Sequence, residues 1–254
     1  MKGRLFLVPT PLDHGCAEQT PLDDVLPLGT IKKAAAIACW ISENAKSTRA
    51  FLKRVDAVAP LAQPIPAQQI TELPREVHKK GDHAGAARFD ARPLLAPALQ
   101  GQDVGLVSEA GMPAVADPGS SVVRAAHQLG IEVLPLTGPV SLLLALAASG
   151  LNGQNFAFTG YLPQDASART TQIQQISRAV QQSGQTRIVI ETPYRNQVLL
   201  EALLSGLDGQ LRLCVASGLT LPDADGARSA SVAEWRQARW PVTPKAPAVF
   251  LIGR

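Results

Sequence analysis

Residues 105–130 read "GLVSEAGMPAVADPGSSVVRAAHQLG", and this stretch decides how the chain folds. It opens as a strand, passes through two small-residue turns, "EAGMP" and "ADPG", and closes as an amphipathic helix ending on Gly130. Strand, turn and helix in that order are the unit of an α/β fold. Two successive turns need a reason, because each leaves backbone N–H and C=O groups to be satisfied. Either the chain turns an awkward corner there, or it offers backbone to a ligand.

The same alternation extends in both directions. "GRLFLVP" (3–9) is a continuous apolar run of the kind a doubly covered parallel strand requires. "AIACWI" (36–41) is a second strand, followed by a helix at 46–55, and 56–103 is a Pro-interrupted, irregular region. "VGLVS" (104–108) and "IEVLPL" (131–136) continue the series. Beyond them come a helix at 140–150, a strand at 156–163 and a helix at 166–184 with Ile173, Ile176 and Val180 at helical spacing. A strand at 186–193, a helix "NQVLLEALLSG", a strand at 211–217, a helix "SVAEWRQA" and a terminal strand "APAVFLIGR" complete it. The pattern predicts an α/β protein with mostly parallel pairing in two domains, 1–136 and 137–254, parted at "LPLTGPVS".

Composition narrows the function. The 254 residues are 46% hydrophobic and 18% charged with a formal charge of +3, a globular balance without a basic arm for naked duplex. Three scattered cysteines, Cys16, Cys39 and Cys214, and four dispersed histidines form no metal-ligand spacing. His78 and His83 are a pair that nothing completes, so no metal is expected. The cysteine usage predicts a reducing compartment, the cytoplasm. The N-terminal apolar stretch is too short for a signal peptide and meets Pro9. The most apolar segment, "IEVLPLTGPVSLLLALAASGL", is cut by Pro135, Gly138 and Pro139, which predicts a strand, a turn and a buried helix rather than a membrane span.

In folds of this kind ligands collect beyond the carboxyl ends of the strands, and the informative turns lie there. "VPTP" sets Thr10 between two prolines that fix φ and remove donors. "SEAGMPAVADPG" offers Gly111 and Gly119 with Ser108, Glu109 and Asp117, Asp117 reading either as a cap or as a ligand contact. Ser141 is a helix N-cap or an anion contact at a helix N-terminus. Glu191 closes an apolar strand with a carboxylate, beside Tyr194 and Arg195. Neither the G-x-G-x-x-G fingerprint nor the P-loop occurs, which argues against a dinucleotide or nucleoside triphosphate.

Taken in order, "LFLVPTP", "LVSEAGMPAVADPG", "VLPLTGPVSLLLALAASGL", "FTGYLP" and "IVIETPYR" resemble the tetrapyrrole methylase superfamily of S-adenosylmethionine-dependent methyltransferases. The similarity is greater to its small-subunit rRNA (cytidine-2′-O)-methyltransferase branch. The resemblance implies two α/β domains with a ligand cleft between them, a homodimer, and S-adenosylmethionine as methyl donor. Carried onto this chain, the methyl-donor site comprises Pro9, Thr10 and Pro11, then Ser108, Glu109, Ala110, Gly111 and Pro113, then Gly138, Pro139 and Ser141, with Tyr161 and Leu162. Transfer to a ribose hydroxyl also releases a proton, and Glu43, Lys46 and Glu191 are the candidates to assist it. Gly111→Val is expected to abolish methyl-donor binding with the fold intact; if Gly111 serves only the turn, stability and affinity fall together.

The departures fall on the acceptor side. Where the rRNA enzymes continue "VPTP" with I-G-N, this chain has Leu12, Asp13 and His14. Their E-D-T-R turn is Glu43-Asn44-Ala45-Lys46, a Lys-rich loop is "QDASART", and R-E-L-T-K is "SGLTL". Lost cations weaken ionic contact with an RNA backbone. The leading expectation is a methyltransferase acting on ribosomal RNA. The alternatives are a small-molecule (tetrapyrrole-like) methyltransferase and a binding protein that keeps the methyl-donor site without catalysis.

Overall fold

A computed structural model describes residues 1–254 except 14, 17, 75, 76, 78–88, 223–225 and 241–246. In chain order the first strands and helices are β1 (Leu5–Leu7), α1 (Leu22–Val25), α2 (Leu28–Ala36), β2 (Cys39–Ser42), α3 (Ala45–Val58) and β3 (Gln69–Glu72). They continue with α4 (Ala96–Leu99), β4 (Val104–Val107), α5 (Ser120–Gln128) and β5 (Val133–Pro135). After these come α6 (Ser141–Ser149), β6 (Phe156–Gly160), α7 (Ala166–Ser183), β7 (Thr186–Glu191) and α8 (Asn196–Gly206). The last are β8 (Arg212–Ser217), β9 (Gly226–Ser231), α9 (Val232–Ala238) and β10 (Ala248–Gly253). The chain divides into two compact units: Met1–His14 with Gln19–Pro139, and Gly15–Glu18 with Val140–Arg254.

The first unit holds a five-stranded sheet in the order β3-β2-β4-β1-β5, parallel at every pairing. Its inner strands β2, β4 and β1 are buried on both faces because both are covered. Phe6, Val8, Trp40 and Val107 pack with Ile31, Leu52 and Val55 from the helices on one side. Leu5, Ile41, Val104 and Leu106 pack with Leu95, Val122 and Ala126 on the other. Trp40 is the largest buried side chain here, and its indole lies across β4, where a Cβ on Gly105 would come within 2.5 Å of the ring. Its Nε1 donates to Gln68 Oε1 at 2.9 Å, which satisfies the one polar atom that burial strands.

The region 56–103, read from sequence as irregular, contributes β3 to this sheet. Gln69–Glu72 is mostly exposed and polar, so no apolar alternation marks it; its register against β2 makes it a strand. The short helices α1 and α2 carry no strong sequence signal either, with Gly29 and Thr30 near the start of α2.

In the second unit the sheet order is β6-β7-β10-β8-β9. Here β6 and β7 pair in parallel while β10 runs antiparallel to both β7 and β8, and β9 folds back antiparallel on β8. Strands β6, β7 and β8 therefore point the same way, as the alternation with α7 and α8 requires. Mostly parallel pairing thus describes the first sheet; in the second the terminal strand has inserted between two co-directional strands. Nothing local in "APAVFLIG" foretells that, since it depends on which gap the last strand enters. Helices α7, α8 and α9 cover one face of this sheet and α6 lies on the other.

Candidate functional site

The order of the first sheet creates a crevice between β1 and β4. The connection leaving β1 passes to β2 on one side of the sheet, whereas that leaving β4 passes to β5 on the other. Loops that depart in opposite directions from adjacent strands leave room beyond the carboxyl ends, the place where open α/β sheets bind ligands. The two conspicuous turns of the sequence meet there. Thr10 and Gly111 form an isolated antiparallel bridge, exchanging N–H···O bonds of 3.0 Å in both directions. The Thr10 hydroxyl donates to Ser108 O at 3.2 Å, joining the same loops a second time.

Gly111 has φ of +77°, the left-handed region, and a Cβ there would meet Leu12 Cδ2 at 3.2 Å. A β-branched residue is strained by the backbone itself. Gly111→Val therefore disturbs the turn as well as any ligand approach and does not separate the two roles. Gly138 has a different constraint: a Cβ would sit 2.3 Å from Pro9 Cγ and 2.5 Å from Pro9 Cβ, so the loop after β5 is seated against the prolines after β1. Pro9, Thr10, Pro11, Ser108, Gly111, Pro113, Gly138 and Pro139 are thus gathered at one end of the sheet, with Glu109 and Ala110 half-buried beside them.

The electrostatics centre on Asp117. Its carboxyl is pushed up to about 7, first by burial and then by the negative charges of Glu43 and Glu109. The three carboxylates come from the loops after β2 and β4, adjacent strands of the sheet. Asp117 is not a helix cap: α5 begins after Gly119, with no side-chain capping bond. The loop holding it carries two alanines in the left-handed region, Ala114 at φ 65° and Ala116 at φ 64°. That conformation costs an L-residue about 1–2 kcal/mol and persists only where the surroundings enforce it. Sequence reasoning underrated Asp117 because a D-P-G turn is read by default as a turn.

Other nominated residues are placed differently. Glu191 is buried and occupied: one carboxylate oxygen pairs with Arg195 Nη2 at 3.2 Å, and the other accepts from Thr192 N at 2.8 Å. It holds its own turn together and is not poised as a base. Lys46 is exposed in the first turn of α3. The side chain of Leu162 lies in the core of the second unit with Ile173 and Val189, so only its backbone is left for a ligand. Tyr161 is exposed, and Ser141 follows Val140, which occupies the N-cap of α6 without side-chain capping.

Several departures from the rRNA-enzyme pattern have structural explanations. Asp13 makes a bidentate pair with Arg54 at 3.0 and 2.9 Å and accepts from Thr20 N at 3.2 Å, tying the loop after β1 to α3. Asn44 caps α3, accepting from Lys46 N at 2.9 Å, a role Asn fills as well as Asp. Asp165 caps α7, and Arg169 in "QDASART" donates to the carbonyls of Pro163 and Gln164. His14 lies outside the described residues, as do His78 and His83. Among the described residues no group of three or more His, Cys, Asp or Glu could hold a metal ion, and no helix is long and apolar enough to cross a membrane.

The residues present fit a cationic, polar ligand. The Ser108 hydroxyl is buried at the carboxyl end of β4 with no hydrogen-bond partner among the described residues. A buried hydroxyl left in that state costs free energy unless a ligand completes it. The carboxylates beside it favour positive charge. Backbone bridged at a switch point, a buried hydroxyl and three nearby carboxylates are the features this end of the sheet offers a ligand.

Comparison with known proteins identifies the family. The family model for tetrapyrrole (corrin/porphyrin) methylases matches residues 28–229. Ribosomal RNA small subunit methyltransferase I of Pseudomonas aeruginosa is 33% identical over 224 residues, covering 86% of this chain and 67% of that protein. The protein of the same name from Synechocystis sp. is 31% identical over 220 residues, with coverage of 86% and 67%. The matched region is thus about two thirds of the length of these relatives. Among solved structures, uroporphyrin III C-methyltransferase from Thermus thermophilus superposes over 99% of this chain and 98% of its own, with TM-score 0.52 and 18% identity. The same enzyme complexed with S-adenosylhomocysteine gives TM-score 0.52 at 17% identity, over 99% of this chain and 98% of its own. The chain belongs to the tetrapyrrole methylase family and is an S-adenosylmethionine-dependent methyltransferase.

Proposed function

We propose that this enzyme methylates ribosomal RNA of the small subunit at a ribose 2′-hydroxyl, working in the cytoplasm as a homodimer. The observation that carries the methyl-donor site is the Thr10–Gly111 bridge, which presses the loops after β1 and β4 together at the switch point beside the unpartnered Ser108 hydroxyl. When bound, S-adenosylmethionine supplies an activated methyl group on a cationic sulfur. Backbone of Thr10, Ala110 and Gly111, with Ser108 and the Gly138–Pro139 turn, would hold it. Glu109 and Glu43 complement its positive charge.

On this chain's side the chemistry is orientation and proton transfer. Rigid loops hold reacting groups aligned, which removes several kcal/mol of entropic barrier. Asp117, poised at about 7 by burial and by Glu43 and Glu109, has the proton affinity suited to accepting the ribose hydroxyl's proton near neutral pH. A cation beside the three carboxylates draws Asp117 toward its ionised, proton-accepting form. The rRNA acceptor rests on the similarity to the rRNA methyltransferase I proteins.

Two measurements test this reading. Calorimetric titration with S-adenosylmethionine and S-adenosylhomocysteine should give saturable one-to-one binding. Labelled methyl groups should then pass to small ribosomal subunits and resist alkali as 2′-O-methyl nucleotides. Binding without transfer to ribosomal subunits would remove the RNA substrate, and absence of binding would remove the methyl-donor site.

A further inference from the structure

Helix α3 carries its charges in the opposite order to the one its own dipole favours. A helix N-terminus has positive character, so carboxylates are stabilising in the first turn and cations in the last. In α3 the first turn holds no acidic residue and the last turn no basic one. Lys46, Arg49, Lys53 and Arg54 all lie toward its start, and no Asp or Glu occurs from 45 to 55. Thr48, Phe51, Leu52 and Val55 are buried against the sheet. The opposite face presents Lys46, Arg49 and Lys53 at helical spacing, with the small, exposed Ala50 and Ala57 beside them.

Arg54, on the flank, is committed to Asp13. The other three have no ion-pair partner among the described residues. Nearby carboxylates serve the backbone instead: Glu72 accepts from Ala45 N at 2.7 Å and Asp56 from Leu61 N at 3.0 Å. Asp23 and Asp24 stand on α1, which packs against α3, and form no ion pair with the three cations. A helix face that is merely solvated gains from opposite charges at i, i+4, and this one has none.

We infer that this face of α3 holds the phosphate backbone of the RNA strand whose ribose is methylated. The inference rests on the rRNA reading proposed above and deepens it by naming the residues that carry the acceptor strand. Placement supports it. Helix α3 follows β2 directly, and between them lies Glu43, one of the carboxylates around Asp117. The stripe therefore starts at the carboxyl edge of the sheet and runs down its flank for seven residues, about 10 Å at 1.5 Å per residue. Charge selects the occupant. A protein partner asks for an apolar or aromatic core, whereas the stripe offers cations and alanines. Cations on long stems, with no aromatic or amide side chain among them, position a strand by its phosphates and read no base.

The test is equilibrium binding of the full chain to small-subunit rRNA across a salt series. Wild type is compared with Arg49→Ala, Lys53→Ala, the double variant, and the control Arg124→Ala. Arg124 is exposed on α5, which covers the opposite face of the same sheet. Each α3 variant should flatten the slope of log K against log salt by about 0.7–0.9, and the double variant by about twice that. Arg124→Ala should match wild type. Methyl-donor binding should be unchanged in every variant, which also shows that each one folds. A second readout needs no variant: on wild type, acetylation of Lys46 and Lys53 should fall when rRNA is bound. Suppose wild type binds and methylates rRNA while the α3 variants keep its salt slope, or both lysines stay equally reactive in the complex. Either result would overturn this assignment and leave RNA methylation standing, as would an Arg124→Ala loss equal to that of the α3 variants. A wild type without affinity for rRNA would remove the substrate reading and this assignment together.

Discussion

Asp117→Asn isolates the electrostatic cost built into the site. A carboxyl moved from 3.8 to about 7 carries about 4 kcal/mol against ionisation at pH 8. Part of the side chain remains accessible to water, which screens the repulsion and reduces this to about 2–3 kcal/mol. Between those two values the unfolded chain has released a proton that the folded chain keeps. Folding then takes up a proton, and stability falls as pH rises from about 4 to about 7, levelling above it. Asparagine cannot ionise and escapes this loss. Asp117→Asn should match wild type near pH 4 and exceed it by about 2–3 kcal/mol at pH 8, with the gain developing between. Urea unfolding at stepped pH, read by pulsed hydrogen exchange on β2 and β4 peptides, reports the first unit alone. A difference that is flat with pH, or a variant less stable than wild type at pH 8, would falsify the carboxylate cluster as described.

The same substitution should reduce the preference for S-adenosylmethionine over the uncharged sulfur of S-adenosylhomocysteine, more at pH 8 than at pH 6, as competition titrations would show; an unchanged ratio argues against an acidic wall at the sulfonium. Asp13→Ala leaves the guanidinium of Arg54 without its bidentate partner and should cost the first unit about 3 kcal/mol in urea unfolding, with Arg54→Ala adding little on top. Gly138→Ala drives a methyl group into Pro9 and should cost about 1–3 kcal/mol while weakening methyl-donor binding. Glu191→Gln should lower stability without moving the pH–rate profile, because its carboxylate is engaged by Arg195 and Thr192; a shifted profile would restore it as a proton-transfer group.

Much of this was legible in the residues. Continuous apolar runs marked β1, β4, β7, β8 and β10, because a strand buried on both faces must be largely apolar. Glycines at helix ends marked where α6 and α7 stop, since Gly150 and Gly184 both take left-handed φ. The turns "VPTP" and "SEAGMPAVADPG" were identifiable as strand-end turns from their small residues and their place after strands, and the structure brings them together at Thr10 and Gly111. Those signals are local, and local signals survive without a fold.

Only the tertiary structure decided the rest. Polar strands β3 and β9 exist because a neighbour's register completes their hydrogen bonds, not because their side chains prefer a sheet. The last strand's entry between β7 and β8 depends on which gap the folded sheet leaves open. The roles of the carboxylates were equally invisible along the chain: Glu191 and Asp13 are committed to arginines, whereas Asp117, which reads as an ordinary turn residue, stands among like charges. A sequence states which groups can ionise. Which partner each one meets, and so which remains free for chemistry, is settled by residues brought together from distant positions.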